Sequence, residues 1–156
     1  EEVYKEFMET YEGNPRDQGN FYETDNGEMV KSKSELIIAN MLKKFNVPYF
    51  YERPLNPMEQ YKMFPDFTCL NRRTGKTYYW EHFGLMDNSE YSFNAICRIR
   101  NYAAMGIQLG SELIASFEVS KLPLSGTIDS AVLTLLPPAS EPVMAPVSSL
   151  SRMIPQ

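Results

Sequence analysis

The sequence predicts an α/β domain, a mixed β-sheet with helices on its faces, and three observations lead there. A capping-box signature opens an amphipathic helix at Ser32. Two aromatic-rich segments flank a turn-forming stretch at 71–76. A helical stretch then separates the second of these segments from a further apolar strand, the pattern of a parallel crossover. With 156 residues the chain has the size of one domain. Its 43% hydrophobic and 22% charged residues can build a core, which excludes a wholly disordered chain.

Val3, Tyr4, Phe7, Met8 and Tyr11 recur at helical spacing, so a short helix is expected before the breakers Gly13-Asn14-Pro15, followed by an irregular connection over 13–28. Ser32-Lys33-Ser34-Glu35 reads as a capping box, and Ile38, Met41, Leu42 and Phe45 continue the helix to about Asn46, ahead of Pro48. Tyr49 to Arg53 reads as a strand that stops at Pro54. Phe64 to Leu70 and Thr77 to Phe83 are predicted to pair as a hairpin through Asn71-Arg72-Arg73-Thr74-Gly75-Lys76. A helix from about Ser89 to Met105 has Tyr91, Ala95, Ile99 and Tyr102 on one face and ends at Gly106. Glu112 to Glu118 lacks alternation, as expected for a strand buried on both faces and parallel to the Glu81 strand. A last helix carries Ile128, Ala131, Val132, Leu135 and Leu136, and the Pro- and Ser-rich residues 137–156 read as a tail or linker.

Only Cys69 and Cys97 are present, with His82 as the single histidine, which excludes a disulfide framework, a cysteine-built zinc site and a His-pair motif. Metal chemistry must then run on carboxylates. No apolar run approaches the ~20 residues that span a bilayer, and the acidic start Glu1-Glu2-Val3-Tyr4-Lys5-Glu6 is unlike a signal peptide. A cytoplasmic protein without a membrane partner is expected. The net charge of −5 opposes phosphate binding, but its distribution is uneven. Residues 1–30 hold nine acids against Lys5 and Arg16, whereas residues 31–100 hold eleven bases against seven acids. The middle of the chain is basic, which fits either a basic face or ordinary solvated charges behind an acidic leader.

A symmetric turn centred between Arg73 and Thr74 sets Asp66 directly opposite Glu81. Opposed side chains across a hairpin have Cβ atoms ~4.5–5.5 Å apart, and like charges there destabilise the sheet. A divalent cation would offset that cost, since Mg²⁺ takes one or two carboxylates with waters and phosphate oxygens. Glu35 could add a third carboxylate, and the carbonyl of His82 a further hard oxygen. The opposing readings are two strand-end acids paired with Arg72, Arg73 or Lys76, and a Glu35 that only caps its helix. The His82 ring is expected on the other sheet face, packed or hydrogen-bonded rather than ligating.

Taken in order, Val30-Lys31-Ser32-Lys33-Ser34-Glu35 with Ile38-Ala39-Asn40, Tyr51-Glu52-x-Pro54-Leu55, Pro65-Asp66-Phe67 and Trp80-Glu81-His82-Phe83-Gly84 resemble a divergent branch of the PD-(D/E)XK nuclease superfamily. Arg98, Tyr102, Gly106 and Leu113-Ile114 continue the resemblance, which covers residues 29–136 between a leader (1–28) and the tail (137–156). It implies a restriction-endonuclease-like mixed β-sheet core flanked by helices. It also implies Mg²⁺ or Mn²⁺ held by Glu35, Asp66 and Glu81. The lysine that usually follows the Glu by two residues is Phe83 here. Arg98 stands where that amine lies in branches that carry it on the next helix, and Lys33 is the other nearby cation. Arginine can hold phosphate charge but is a poor proton acceptor.

The resulting expectation is a metal-dependent nuclease domain that hydrolyses phosphodiester bonds, with DNA as substrate. The alternatives are an inactive nuclease-like module that binds nucleic acid or protein, and a hydrolase of small phosphorylated molecules. The acidic leader and proline-rich tail also fit an excerpt of a longer chain with further domains.

Overall fold

In the computed structural model, residues 19–55 and 63–120 are described, and they form two sheets and two helices. The sequence-predicted helices at 3–11 and 128–136 and the tail lie outside these residues. In chain order the elements are β1 (Tyr22–Glu23), β2 (Met29–Val30), α1 (Lys33–Lys44), β3 (Tyr49–Tyr51), β4 (Phe67–Leu70), β5 (Thr77–Phe83), α2 (Ser89–Ala104) and β6 (Leu113–Phe117). β1 and β2 form an antiparallel ribbon, and the main sheet runs β3-β4-β5-β6. The first two main-sheet pairings are antiparallel and the last is parallel. The architecture is therefore mixed α/β, with the parallel β5–β6 pair joined through α2 as expected.

The hairpin register matches the expected one, with Phe67↔Trp80, Thr68↔Tyr79, Cys69↔Tyr78 and Leu70↔Thr77. The turn fixes it: Asn71 Oδ1 accepts from the amides of Arg73 and Thr74, and Gly75, at φ 69°, donates to the Asn71 carbonyl at 2.8 Å. β4 begins at Phe67 rather than at Phe64. Pro65 has no N–H to give to a ladder.

α1 starts at a complete capping box. Ser32 Oγ accepts from the Glu35 amide and Glu35 returns a bond to the Ser32 amide. It ends at Asn46, whose φ of 54° closes a Schellman turn with Asn46 N–H on the Lys43 carbonyl and Val47 N–H on that of Leu42. Ile38, Ala39 and Leu42 pack with Val47, Tyr49, Phe67, Cys69 and Trp80 to form the core on one face of the sheet. Burial of such side chains, at about 1.5–3 kcal/mol each, is the main source of stability here. α2, opened by the Asn88 cap, covers the other face, where Ala95 and Tyr102 are buried.

Two expectations are corrected. Residues 13–28 are not wholly irregular, because β1 pairs with β2 around a turn in which Gly27, at φ 85°, donates to the Thr24 carbonyl. Tyr49 Oη bonds to Glu28 and Asn26, and Asn40 Oδ1 accepts from the Asp25 amide, tying the ribbon to β3 and α1. β6 is not buried on both faces. It is an edge of the described sheet, with Leu113 and Ser116 buried and Phe117 exposed.

Candidate active site

Alternation along β5 sorts its side chains between the two helices. Tyr78 and Trp80 join the α1 core, while Glu81 meets Arg98 and Tyr102 of α2. At the end of the hairpin the chain opens into a cleft of about 410 Å³ lined by Glu35, Glu52, Asp66, Glu81, Tyr91 and Arg98, among others. The structure thus brings Glu35, Asp66, Glu81, His82 and Arg98 to one cavity. Lys33 is exposed and is not among the lining residues. As the first residue of α1 it leaves the capped turn toward solvent, so a role at this cleft has no geometric basis.

Each acid is held differently. Asp66 continues the register by one rung opposite Glu81 but has left the ladder, and its Oδ2 accepts from the His82 amide at 2.6 Å. Burial and the Glu81 carboxylate raise the Asp66 pKa well above the ordinary range, against the pull of that amide. Glu81 is almost wholly buried and accepts from the Tyr102 hydroxyl and from Arg98 Nη2, the latter at 2.6 Å. Burial raises its pKa too, while Arg98 and Tyr102 oppose the rise. Burial also works against the Arg98 charge, yet Glu81 outweighs it and the guanidinium pKa is raised. The same Nη2 donates to the Phe64 carbonyl, and Arg98 Nε is buried with no hydrogen-bond partner among the described residues.

Glu35 caps its helix and also lines the cleft. Its Oε2 accepts from the amides of Lys31 and Ser32 and from Tyr51 Oη at 2.8 Å, and it lines the cleft. Lys76, weighed as a partner for the hairpin acids, is 3.6 Å from Glu112 instead.

The His82 ring is engaged on the α1 side of β5, away from the acids. Trp80 Nε1 donates to Ser116 Oγ at 2.9 Å, and an indole nitrogen can only donate. The Ser116 hydroxyl proton is then free to reach His82 Nδ1, also at 2.9 Å, which leaves the proton of a neutral ring on Nε2, facing Glu118 at 3.3 Å. Glu118 accepts from Ser34 of α1 at 2.7 Å. Burial lowers the His82 pKa against the attraction of Glu118, consistent with a neutral ring. Serine, histidine and glutamate in this order resemble a hydrolytic triad, but Ser116 is 0% exposed and already accepts from Trp80, so no substrate can reach it.

Glu52 is the cleft residue that site assignment from the sequence passed over. It stands at φ 48°, a left-handed conformation that costs a non-glycine residue on the order of 1–3 kcal/mol. Its amide donates to the Asp66 carbonyl at 3.0 Å and its carboxylate pairs with Lys31. The acid within Tyr51-Glu52-x-Pro54 was the available signal, but residue type alone does not disclose φ.

A hard cation suits this donor set, since Asp66 and Glu81 supply the two carboxylates that Mg²⁺ ordinarily takes from a protein. Among the described residues, however, no three Asp, Glu, His or Cys side chains converge into a ready-made cage. Glu81 is turned to Arg98 and Tyr102, and one Glu35 oxygen serves two amides and Tyr51. The position of the usual lysine is apolar, because Phe83 is buried and stacked on Phe117 with centroids 5.5 Å apart.

No helix among the described residues is long and apolar enough to cross a membrane. No family model matches the chain, and no solved structure does. A stretch of 68 residues, 44% of the chain, is 37% identical to part of an uncharacterized protein of Methanocaldococcus jannaschii, and the match spans 6% of that protein.

Proposed function

We propose that the chain carries a divergent PD-(D/E)XK nuclease domain of restriction-endonuclease-like fold that hydrolyses phosphodiester bonds in DNA with Mg²⁺ or Mn²⁺. The observation that carries the reading is the meeting of Glu35 of α1, Glu81 of β5 and Asp66, just ahead of β4, at one open cleft with Arg98 on its wall. The bound ion supplies Lewis acidity at the phosphate and acidifies water. Asp66 and Glu81 hold it, with their orientations set by the His82 amide and the Tyr102 hydroxyl. Glu35, rigid in its capping box, orients the attacking water. Arg98 places positive charge where the phosphate lies, and Phe83 with Phe64 keeps that side of the cleft apolar.

Asp66→Ala and Glu81→Ala are each expected to abolish Mn²⁺-dependent cleavage of duplex and single-stranded DNA. Undiminished cleavage by both variants rejects the assignment. The second reading, a nuclease-like docking module without catalysis, is favoured by Phe83 at the lysine position and by the Arg98 guanidinium already bonded to Glu81. Binding of DNA without cleavage, unaffected by Asp66→Asn, would select it.

A further inference from the structure

Glu81 Oε1 is the acceptor for both Arg98 and Tyr102. A divalent ion needs the same carboxylate at ~2.0–2.1 Å if it is Mg²⁺. With Arg98 Nη2 at 2.6 Å from that oxygen, the two cations would lie within a few ångströms of each other in a largely buried site. Repulsion at that range disfavours their simultaneous occupancy of Glu81.

The Arg98 contact is also poorly made. A guanidinium meets a carboxylate best through two parallel bonds. Here one nitrogen, Nη2, serves both Glu81 and the Phe64 carbonyl, and the buried Nε has no partner among the described residues. The side chain is 35% exposed at the cleft wall, so an open path exists for the guanidinium to move, with Phe64 as a tether.

We propose that Arg98 is an exchangeable cation that holds Glu81 when no divalent ion is bound and turns to a substrate phosphate once Mg²⁺ or Mn²⁺ takes that carboxylate. This rests on the nuclease reading above and adds an order of events to it. Arg98 is then at once the competitor of the metal and the ligand of the phosphate, which couples metal loading to DNA binding.

Calorimetric titration of the whole chain with MnCl₂ tests this, comparing wild type with Arg98→Gln, Arg98→Lys and Tyr102→Phe. Removing a charge-assisted hydrogen bond from Glu81 is expected to tighten Mn²⁺ binding about tenfold in Arg98→Gln. Arg98→Lys, which keeps a cation, is expected to lie between it and wild type, and Tyr102→Phe, which leaves Glu81 without its orienting hydroxyl, to bind no more tightly than wild type. Mn²⁺ binding by Arg98→Gln alone, with none by wild type, would show that Arg98 blocks the ion without yielding to it and overturns the exchange. Equal or weaker binding by Arg98→Gln, with wild type binding normally, overturns the exchange and leaves the metal site standing. Absence of binding in all four proteins overturns both. Should Arg98→Gln fail to fold, wild type decides: the Arg98 Nε resonance is expected to shift on saturation with Mg²⁺, and an unchanged resonance overturns the proposal. As a second arm, anisotropy with a phosphorothioate-linked oligonucleotide is expected to show Mn²⁺ strengthening binding to wild type more than to Arg98→Gln. An equal gain in both counts against the exchange.

Discussion

The main-chain amide of His82 donates to Asp66 at 2.6 Å, so the acid just ahead of one hairpin strand is tied to the residue beside the acid of the other. Two carboxylates are thereby kept close in a site that resists their charge, and both have raised proton affinities. Burial of both acids at this cleft works against the stability of the fold.

Asp66→Asn is therefore expected to stabilise the protein at neutral pH. The amide oxygen can still accept from His82, and a buried charge beside Glu81 is removed. A gain of about 1 kcal/mol would raise the melting temperature by roughly 2–4 °C in a chain of this size, read by differential scanning calorimetry. An equal or lower melting temperature contradicts the account.

The pH dependence has a definite sign. Asp66 and Glu81 have folded pKa values above their unfolded values of 3.8 and 4.5, so the native state holds protons that the unfolded chain has lost. Their contribution is full below the unfolded values and is lost as pH rises through the folded ones. The advantage of Asp66→Asn over wild type is expected to vanish below about pH 3.8 and grow toward neutrality, as measured by urea melts across pH. A pH-independent difference would remove the electrostatic explanation.

Glu35→Gln separates capping from ligation. The amide retains an oxygen for the Lys31 and Ser32 amides, so stability is expected to stay within about 0.5 kcal/mol of wild type, whereas Glu35→Ala costs ~1 kcal/mol. Mn²⁺-dependent cleavage is expected to fall at least about tenfold in both. Full activity in Glu35→Gln would confine Glu35 to capping.

His82 is the single histidine, so one proton NMR titration reports it. Its folded pKa is expected below 6.5, because burial penalises the charged ring more than Glu118 rewards it. The stability tied to the neutral ring is present above 6.5 and lost as pH falls through that value toward the folded pKa. His82→Ala, which strands the hydroxyl of Ser116, is expected to cost about 1–3 kcal/mol in chemical denaturation. A midpoint above 6.5 would contradict the neutral tautomer.

The parts of the fold that could be read from sequence are those whose signal is local. The capping box at Ser32 and the turn at Asn71–Lys76 each carry their own hydrogen bonds within a few residues, so helix start and strand register were accessible. The β1–β2 ribbon was not, since each strand has two residues and its anchors, Tyr49 and Asn40, lie far along the chain. The exposure of Phe117 on β6 was missed for a related reason: an apolar run reports composition but not which of its side chains a packed layer covers. In the cleft, residue types pointed to Asp66, Glu81 and Glu35, and the family resemblance to Arg98. They could not reveal that Arg98 is bonded directly to Glu81, nor that Glu52 adopts a left-handed backbone.

The chain has one tryptophan, sealed at the centre of the sheet, and its indole donates to Ser116, whose hydroxyl reaches His82 Nδ1. That placement equips the protein with an intrinsic optical reporter. Its emission monitors the interior on one side of β5, while the next residue along the strand, Glu81, faces the cleft on the other.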